Sequence, residues 1–93
     1  MDLSEIETFL TIVNTKSITK TADILFLSQP TVSHRLKSLE KELGFPLIVR
    51  KKGFKNVELT SKGSEFVSIA ERYISLWKET QVLAQDRDST LLS

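Results

Sequence analysis

One stretch of the chain, residues 28–44, constrains the fold more than any other, and it reads SQPTVSHRLKSLEKELG. Ser28 is a favourable N-cap, Pro30 falls in the first turn where a missing N–H does no harm, and Gly44 suits a helix C-terminus. The apolar side chains recur at helical spacing on one narrow face: Val32, Leu36, Leu39 and Leu43. The stretch therefore predicts an amphipathic helix whose leucines pack on a small core.

The opposite face of this helix is polar and basic, and no acidic side chain interrupts it. Its members are Pro30, Ser33, His34, Lys37 and Lys41, with Gln29 and Thr31 in the first turn. Such a face suits a polyanion, and a solvated surface helix would show the same pattern. The rest of the chain has to decide between these two interpretations.

Positive charge is concentrated in the middle of the sequence, although the 93 residues together carry only +1. Residues 28–56 hold seven Lys and Arg against two acids, a net +5, whereas residues 1–27 and 57–93 are each net −2. Focused charge of one sign is typical of a polyanion-binding surface; solvated lysines clustered by chance are the alternative.

Composition excludes several classes of protein. Without cysteine there is no disulfide framework, thiolate metal site or cysteine nucleophile. With one histidine and no phosphate-cradling glycine loop, we predict neither an enzyme nor a cofactor or metal in this chain. Neither a signal peptide nor an apolar membrane span is evident, so a cytoplasmic location is expected.

Two further helices are predicted ahead of the central one. The first runs from about residue 3 to residues 14–16, with a capping box at either Asp2 or Ser4. The second begins at the N-cap Ser17 and covers about residues 18–26, where Ala22 is small enough for a close helix crossing. A short turn before a basic helix is typical of a helix-turn-helix, placed at residues 18–37.

A small β-hairpin is predicted at residues 47–59, where two β-prone runs flank a basic loop containing Gly53. A lone hairpin is marginal in water, so it must pack on the helices as a wing. We expect Arg50, Lys52 and Lys55 to reach the flanking phosphates or the minor groove. The alternative is a lysine-rich loop that only protects edge strands.

The last helix is predicted from Thr60 as N-cap to about residue 87, with residues 60–88 acting as a linker and dimerisation helix and residues 89–93 as a frayed tail. Apolar side chains repeat along it in steps of three and four and predict pairing with a second copy. The predicted dimerisation residues are Phe66, Ile69, Tyr73, Leu76, Trp77, Thr80 and Leu83. Burial against a further domain is the competing explanation.

At this point the sequence resembles the DNA-binding region of LysR-type bacterial transcriptional regulators. The residues that carry the resemblance are Phe9, Ser17, Thr19, Ala22, Ser28-Gln29-Pro30, Val32-Ser33, Leu39-Glu40, Leu43-Gly44, Leu47, Arg50, Leu59-Thr60 and Gly63. Two departures are Thr21, where the family often has alanine, and Ile48, where it often has phenylalanine; both suit an apolar interior.

The resemblance implies a mainly α-helical fold: a winged helix-turn-helix over residues 1–59, followed by a long helix through which two copies form a homodimer. It also implies a C-terminal domain, absent from these 93 residues, that binds a small-molecule effector. The chain is then expected to be a fragment or a truncated relative.

We therefore predict sequence-specific binding to double-stranded DNA, with the 28–44 helix in the major groove and an inverted repeat as operator. The predicted DNA contacts are Ser28, Gln29, Pro30, Thr31, Ser33, His34, Lys37, Arg50, Lys52 and Lys55. The alternative from another class is a winged helix that binds a protein partner, its basic patch being incidental.

Overall fold

The computed structural model describes residues 1–50 and 56–85. Its first helix is α1 (Leu3–Thr15). Of the two predicted capping boxes, Asp2 forms one: its carboxylate accepts the Glu5 N–H at 2.9 Å, and the Glu5 carboxylate accepts the Asp2 N–H at 3.2 Å. Hydrogen bonds from Ser4 and from the Glu5 N–H hold the pKa of Asp2 below its ordinary value. Lys16, in the left-handed region with φ 57°, ends the helix.

The predicted helix-turn-helix is present as α2 (Ile18–Leu25) and α3 (Gln29–Leu43). The Ser17 hydroxyl accepts the Lys20 N–H at 3.0 Å and so caps α2. Phe26 and Gly44 end the two helices, both in the left-handed region. Ser28 is the N-cap of α3 and Gly44 its C-cap, so both predicted caps of this helix are confirmed.

The wing is an antiparallel pair of two-residue strands, β1 (Ile48–Val49) and β2 (Glu58–Leu59), in which Ile48 lies opposite Leu59. Both strands are shorter than the sequence predicts. Val57, which begins the second predicted strand, lies outside β2, and its N–H donates to the Lys16 carbonyl at the end of α1, at 2.9 Å. The predicted basic tip, including Lys52 and Lys55, lies outside the described residues.

The long last helix, α4 (Ser61–Gln85), starts where the sequence predicts. The Thr60 hydroxyl accepts the Gly63 N–H at 2.9 Å and donates to the Pro46 carbonyl at 2.7 Å. This one side chain therefore caps α4 and ties it to the segment ahead of β1. The predicted end near residue 87 and the tail 89–93 lie outside the described residues.

A single core joins all of these elements. It contains Ile6, Phe9, Ile12, Ala22, Val32, Leu36, Leu39, Leu47, Ile48, Phe66 and Ala70. The rings of Phe9 and Phe66 lie 5.5 Å apart between centroids, and Phe45 meets Phe66 edge-on at 6.5 Å. The start of α4 thus packs on α1 and Phe45 and shares one core with the other helices, although the sequence placed a domain boundary at residue 60.

Phe66 requires a correction, because the sequence analysis assigned it to a dimerisation surface. It is 5% exposed and packs on Phe9, so it belongs to the core of its own domain. The apolar residues of α4 lie on two faces of the helix. The face with Gly63, Phe66 and Ala70 is the one that packs against α1. From Ser75 to Gln85 every residue is exposed.

Candidate nucleic-acid interface

The N-terminus of α3 is polar, exposed and held by its own cap. The Ser28 hydroxyl accepts the Thr31 N–H at 3.3 Å, and the two hydroxyl oxygens lie 2.8 Å apart. Whichever hydroxyl donates to the other, one hydroxyl hydrogen of the pair is left for an outside acceptor. Pro30 has no N–H, so within the described residues the only first-turn N–H without a partner is that of Gln29. The start of α3 thus offers one backbone N–H and one hydroxyl hydrogen to an outside acceptor.

The structure brings the predicted base-reading residues together on the outward side of α3. Gln29, Pro30, His34 and Lys37 are exposed, while Thr31 and Ser33 are half-buried. The opposite side seats Val32, Leu36 and Leu39 in the core. No acidic residue occurs between residues 24 and 39. Shape and charge therefore favour an anionic partner along this surface.

Arg35 lies between the two faces of α3 and is half-buried. Its guanidinium donates to the Thr8 hydroxyl of α1 at 3.5 Å, and that hydroxyl in turn donates to the Ser4 carbonyl at 2.7 Å. The buried Thr8 side chain, fully enclosed, is thereby hydrogen-bonded. Arg35 fastens α3 to α1.

Arg50 also has a structural contact that sequence reasoning missed. Its guanidinium binds Glu40 of α3 through two hydrogen bonds of 3.0 and 2.7 Å. The same carboxylate accepts the Leu47 N–H at 2.6 Å and the Ile48 N–H at 3.4 Å. The predicted DNA contact at Arg50 stays a prediction: two of its five N–H groups bind Glu40 and secure the start of the wing, and its side chain is 42% exposed.

The charge state of Glu40 follows from these partners. Burial raises the pKa of its carboxyl, but the hydrogen bonds from Arg50 and from the Leu47 and Ile48 N–H groups outweigh burial, and the pKa is lowered. Glu40 is therefore ionised at neutral pH and links α3 to the wing by charge-assisted hydrogen bonds.

The predicted dimerisation residues, apart from Phe66, lie on an exposed row of α4. They are Ile69, Tyr73, Leu76, Trp77, Thr80 and Leu83. Leu76 is 63% and Leu83 72% exposed, large fractions for leucine. Thr80 donates its hydroxyl to the Leu76 carbonyl at 2.8 Å, so its hydrogen-bonding capacity is partly used within the helix. We call this set the α4 row.

A cleft of about 550 Å³ lies between the end of α1, β2 and α4, and it is open to solvent. Among residues 1–50 and 56–85, no three His, Asp or Glu side chains cluster as a metal site would require. Within the same residues no helix is long and apolar enough to cross a membrane.

The fold has three helices, of which the third is basic and follows the second after a short turn, and then a small antiparallel hairpin. This arrangement defines the winged helix-turn-helix class. Residues 3–64 match the family described as "Bacterial regulatory helix-turn-helix protein, lysR family". The chain belongs to this family of regulators, as the sequence resemblance implied.

Relatives agree with this assignment. The HTH-type transcriptional regulator HdfR of Escherichia coli is 35% identical over 78 residues, which are 84% of this chain and 27% of HdfR. The chain therefore spans about a quarter of the length of this relative.

Solved structures of the family share the fold. The BenM DNA-binding domain in complex with catB site 1 DNA superposes with a TM-score of 0.85 and 31% identity, covering 97% of this chain and 95% of that one. A CbnR DNA-binding domain–DNA complex superposes with a TM-score of 0.84 and 25% identity, covering 91% of this chain and 95% of that one. Full-length OxyR from Pseudomonas aeruginosa gives 0.84 and 32%, with 91% of this chain covering 28% of that one.

Proposed function

We propose that this chain binds double-stranded DNA in a sequence-specific manner and regulates transcription in the bacterial cytoplasm. The observation that carries the proposal is the outward side of α3, which is exposed, capped by Ser28 and free of acidic side chains from Gln29 to Leu39. An α-helix fits the major groove, where each base pair presents a distinct pattern of donors and acceptors.

Each exposed residue of α3 has a chemistry that suits one part of the duplex. Gln29 can pair bidentately with adenine, and Pro30 can make apolar contact with a thymine methyl. The free hydroxyl hydrogen of the Ser28–Thr31 pair can reach a phosphate oxygen. The remaining proposed base or phosphate contacts on this side are Ser33, His34 and Lys37.

The wing would contact the DNA backbone or minor groove beside the site that α3 reads. Glu40 holds the first residues of the wing against α3 by its bonds to Leu47 and Arg50. The proposed contacts beyond that point are Lys52 and Lys55, which follow in sequence. Phosphate contacts of this kind add affinity without sequence preference.

A homodimer through the α4 row supports the proposed operator. Its apolar side chains are exposed over several turns, on a side of α4 that the rest of the domain does not bury. Pairing of two such helices places two α3 helices in a symmetric arrangement, which predicts an inverted repeat with half-sites about one helical turn apart. A small-molecule effector would act through a C-terminal domain outside these residues.

The first test is selection from a pool of randomised duplexes at about 0.15 M salt, where non-specific attraction is partly screened. Enrichment of an inverted repeat is the expected result. A pool that stays random while binding falls steeply with salt would overturn the proposal and favour a protein-interaction module with a basic surface.

The roles of individual residues are tested by comparing the selected duplex with a random one. Gln29→Ala should weaken binding to the selected duplex by about 1–3 kcal/mol and relax specificity at one base pair. Lys55→Ala should weaken both duplexes alike and reduce the slope of the salt dependence by about one. Equal losses on both duplexes for Gln29→Ala would remove Gln29 from the base contacts.

A further inference from the structure

Phe26 occupies a position that suits neither its backbone nor its side chain. It lies directly after α2 in the left-handed region, at φ 56° and ψ 45°, where a bulky side chain is disfavoured and glycine or asparagine is usual. Its side chain is also 94% exposed, so the ring gains nothing from the core. A residue that costs stability in the isolated chain points to a role outside it.

The location of Phe26 is fixed by its neighbours. Its N–H bonds to the Asp23 carbonyl at 3.3 Å, and the Leu27 N–H bonds to the Ala22 carbonyl at 2.8 Å, which together make a Schellman motif. Leu27 is half-buried against the core and anchors the turn. The ring is thus presented on a well-defined backbone and does not project from a loose loop.

The turn that presents Phe26 leads directly into the proposed DNA-reading helix. Phe26 precedes the N-cap Ser28 by two residues, so their Cα atoms lie within about 7 Å. Both belong to the stretch from residue 24 to 39 that contains no acidic side chain. After Asp23, the turn and the N-terminus of α3 carry no acidic side chain, so they fit DNA better than they fit a basic protein partner.

We propose that Phe26 is a specificity-determining DNA contact whose ring packs on the C5-methyl group of a thymine in the major groove, beside the entry of α3. This inference rests on the proposed function. The thymine methyl is the apolar group that the major groove offers, and phenylalanine is among the side chains that contact it. Contact there removes both apolar surfaces from water and accounts for the exposed ring.

The first measurement pairs stability with affinity in Phe26→Asn. Asparagine tolerates the left-handed region, so the thermal midpoint should rise by about 2–6 °C. Loss of the ring should weaken binding to the selected duplex about tenfold, and weaken a random duplex much less. Ile24→Ala is the matched control, because Ile24 near the end of α2 is also large, apolar and exposed, at 56%, and the variant should bind the selected duplex as tightly as wild type.

The second measurement identifies the methyl group. Each thymine of the selected duplex is replaced in turn by uracil, which lacks only the C5-methyl. The wild-type chain should lose affinity when one particular thymine is replaced by uracil. Phe26→Asn should bind the thymine and uracil duplexes equally well, because its ring is already absent, whereas Pro30→Ala should still lose affinity on that replacement. Such coupling isolates the contact between one ring and one methyl.

The outcomes separate this inference from the proposed function. If the selected duplex binds Phe26→Asn as tightly as wild type, or no uracil position couples to Phe26, the thymine contact is wrong and the proposed function stands. Equal loss on selected and random duplexes also overturns it. A randomised pool that shows no enrichment overturns both.

Discussion

Gly63 lies against the backbone of Leu47, at the point where α4 crosses the segment leading into β1. A Cβ added to Gly63 would lie 2.1 Å from the Leu47 carbonyl oxygen, far inside any real contact. That same oxygen accepts the Thr60 N–H at 3.0 Å, so it has little freedom to move. The glycine is required by space, and its own φ is not in the left-handed region.

Gly63→Ala should therefore lower the free energy of unfolding by about 1–3 kcal/mol, as overpacking does. Urea unfolding followed by circular dichroism measures it. Gly44→Ala is a useful comparison, because nothing lies within 4 Å of a Cβ there and only its φ of 83° opposes the change. An unchanged free energy of unfolding for Gly63→Ala would show that the helix can shift away from Leu47.

The hydroxyl of Thr21 is a second residue-scale feature, and here the sequence interpretation was incomplete. Thr21 was considered compatible with an apolar interior, and it is fully buried. Its hydroxyl, however, lies 2.8 Å from that of Thr15, which also accepts the Ser17 N–H at 3.2 Å. The buried polar group is satisfied by a partner six residues away, across the turn between α1 and α2.

Thr15→Val should cost about 1–3 kcal/mol of unfolding free energy, because it leaves the buried Thr21 hydroxyl without its partner. The double variant Thr15→Val, Thr21→Val should lose less than the sum of the two single variants. Thermal denaturation of the four proteins closes the cycle. Strict additivity would mean that the two hydroxyls do not interact.

At the scale of elements, the junction between α3 and the wing depends on Glu40. The carboxylate receives two N–H groups of the wing and the Arg50 guanidinium, so an uncharged replacement loses the ion pair and weakens the rest. Glu40→Gln should destabilise the fold by about 1–3 kcal/mol at neutral pH. Chemical unfolding measures the change, and an equal stability of wild type and variant would contradict it.

The same contact predicts a dependence on pH. Because the pKa of Glu40 is lower in the folded chain than its ordinary value of 4.5, folding is favoured by the ionised form. Its contribution is complete above about pH 4.5 and is lost as the pH falls through the lowered pKa. The stability difference between wild type and Glu40→Gln should therefore shrink on acidification, as unfolding at a series of pH values would show. A constant difference would contradict this.

Element boundaries followed from local signals where the interactions are local. Ser17, Ser28 and Gly44 were identified as caps because each acts on N–H or carbonyl groups within four residues. The tether between Glu40 and the wing spans up to ten residues, and the Val57–Lys16 bond spans 41, so no local pattern reveals them. One of these bonds also limits the hairpin, because Glu40 takes the Leu47 N–H that a longer ladder would pair with Thr60.

The whole molecule is 60 Å long and about 26 by 19 Å across, because the second half of α4 extends beyond the packed helices. Its outward side chains were predicted from the heptad spacing, but spacing alone assigned Phe66 to the wrong face. Two apolar faces share the start of α4, and only packing against α1 and Phe45 shows which one is internal. The predicted DNA-contacting side chains of α3 lie on one side of the helix, as their helical spacing in the sequence predicts.

Leu76→Asp should weaken self-association by at least about tenfold, because it places a charge in the α4 row where two copies are proposed to meet. Analytical ultracentrifugation over a range of concentrations measures the change. Ser75→Asp is the matched control, since Ser75 is exposed about 100° around the helix from Leu76. Identical dissociation constants for the two variants would remove Leu76 from the interface.

Trp77 is the only tryptophan in the chain, and it lies on α4 at 44% exposure, beside the start of α1. Near-ultraviolet emission excited selectively in tryptophan therefore arises from a single known place. A second copy docking on the α4 row would enclose the indole and shift its emission to shorter wavelength, without any attached dye. The protein carries its own optical probe of assembly, and that probe is separate from the helix proposed to read DNA.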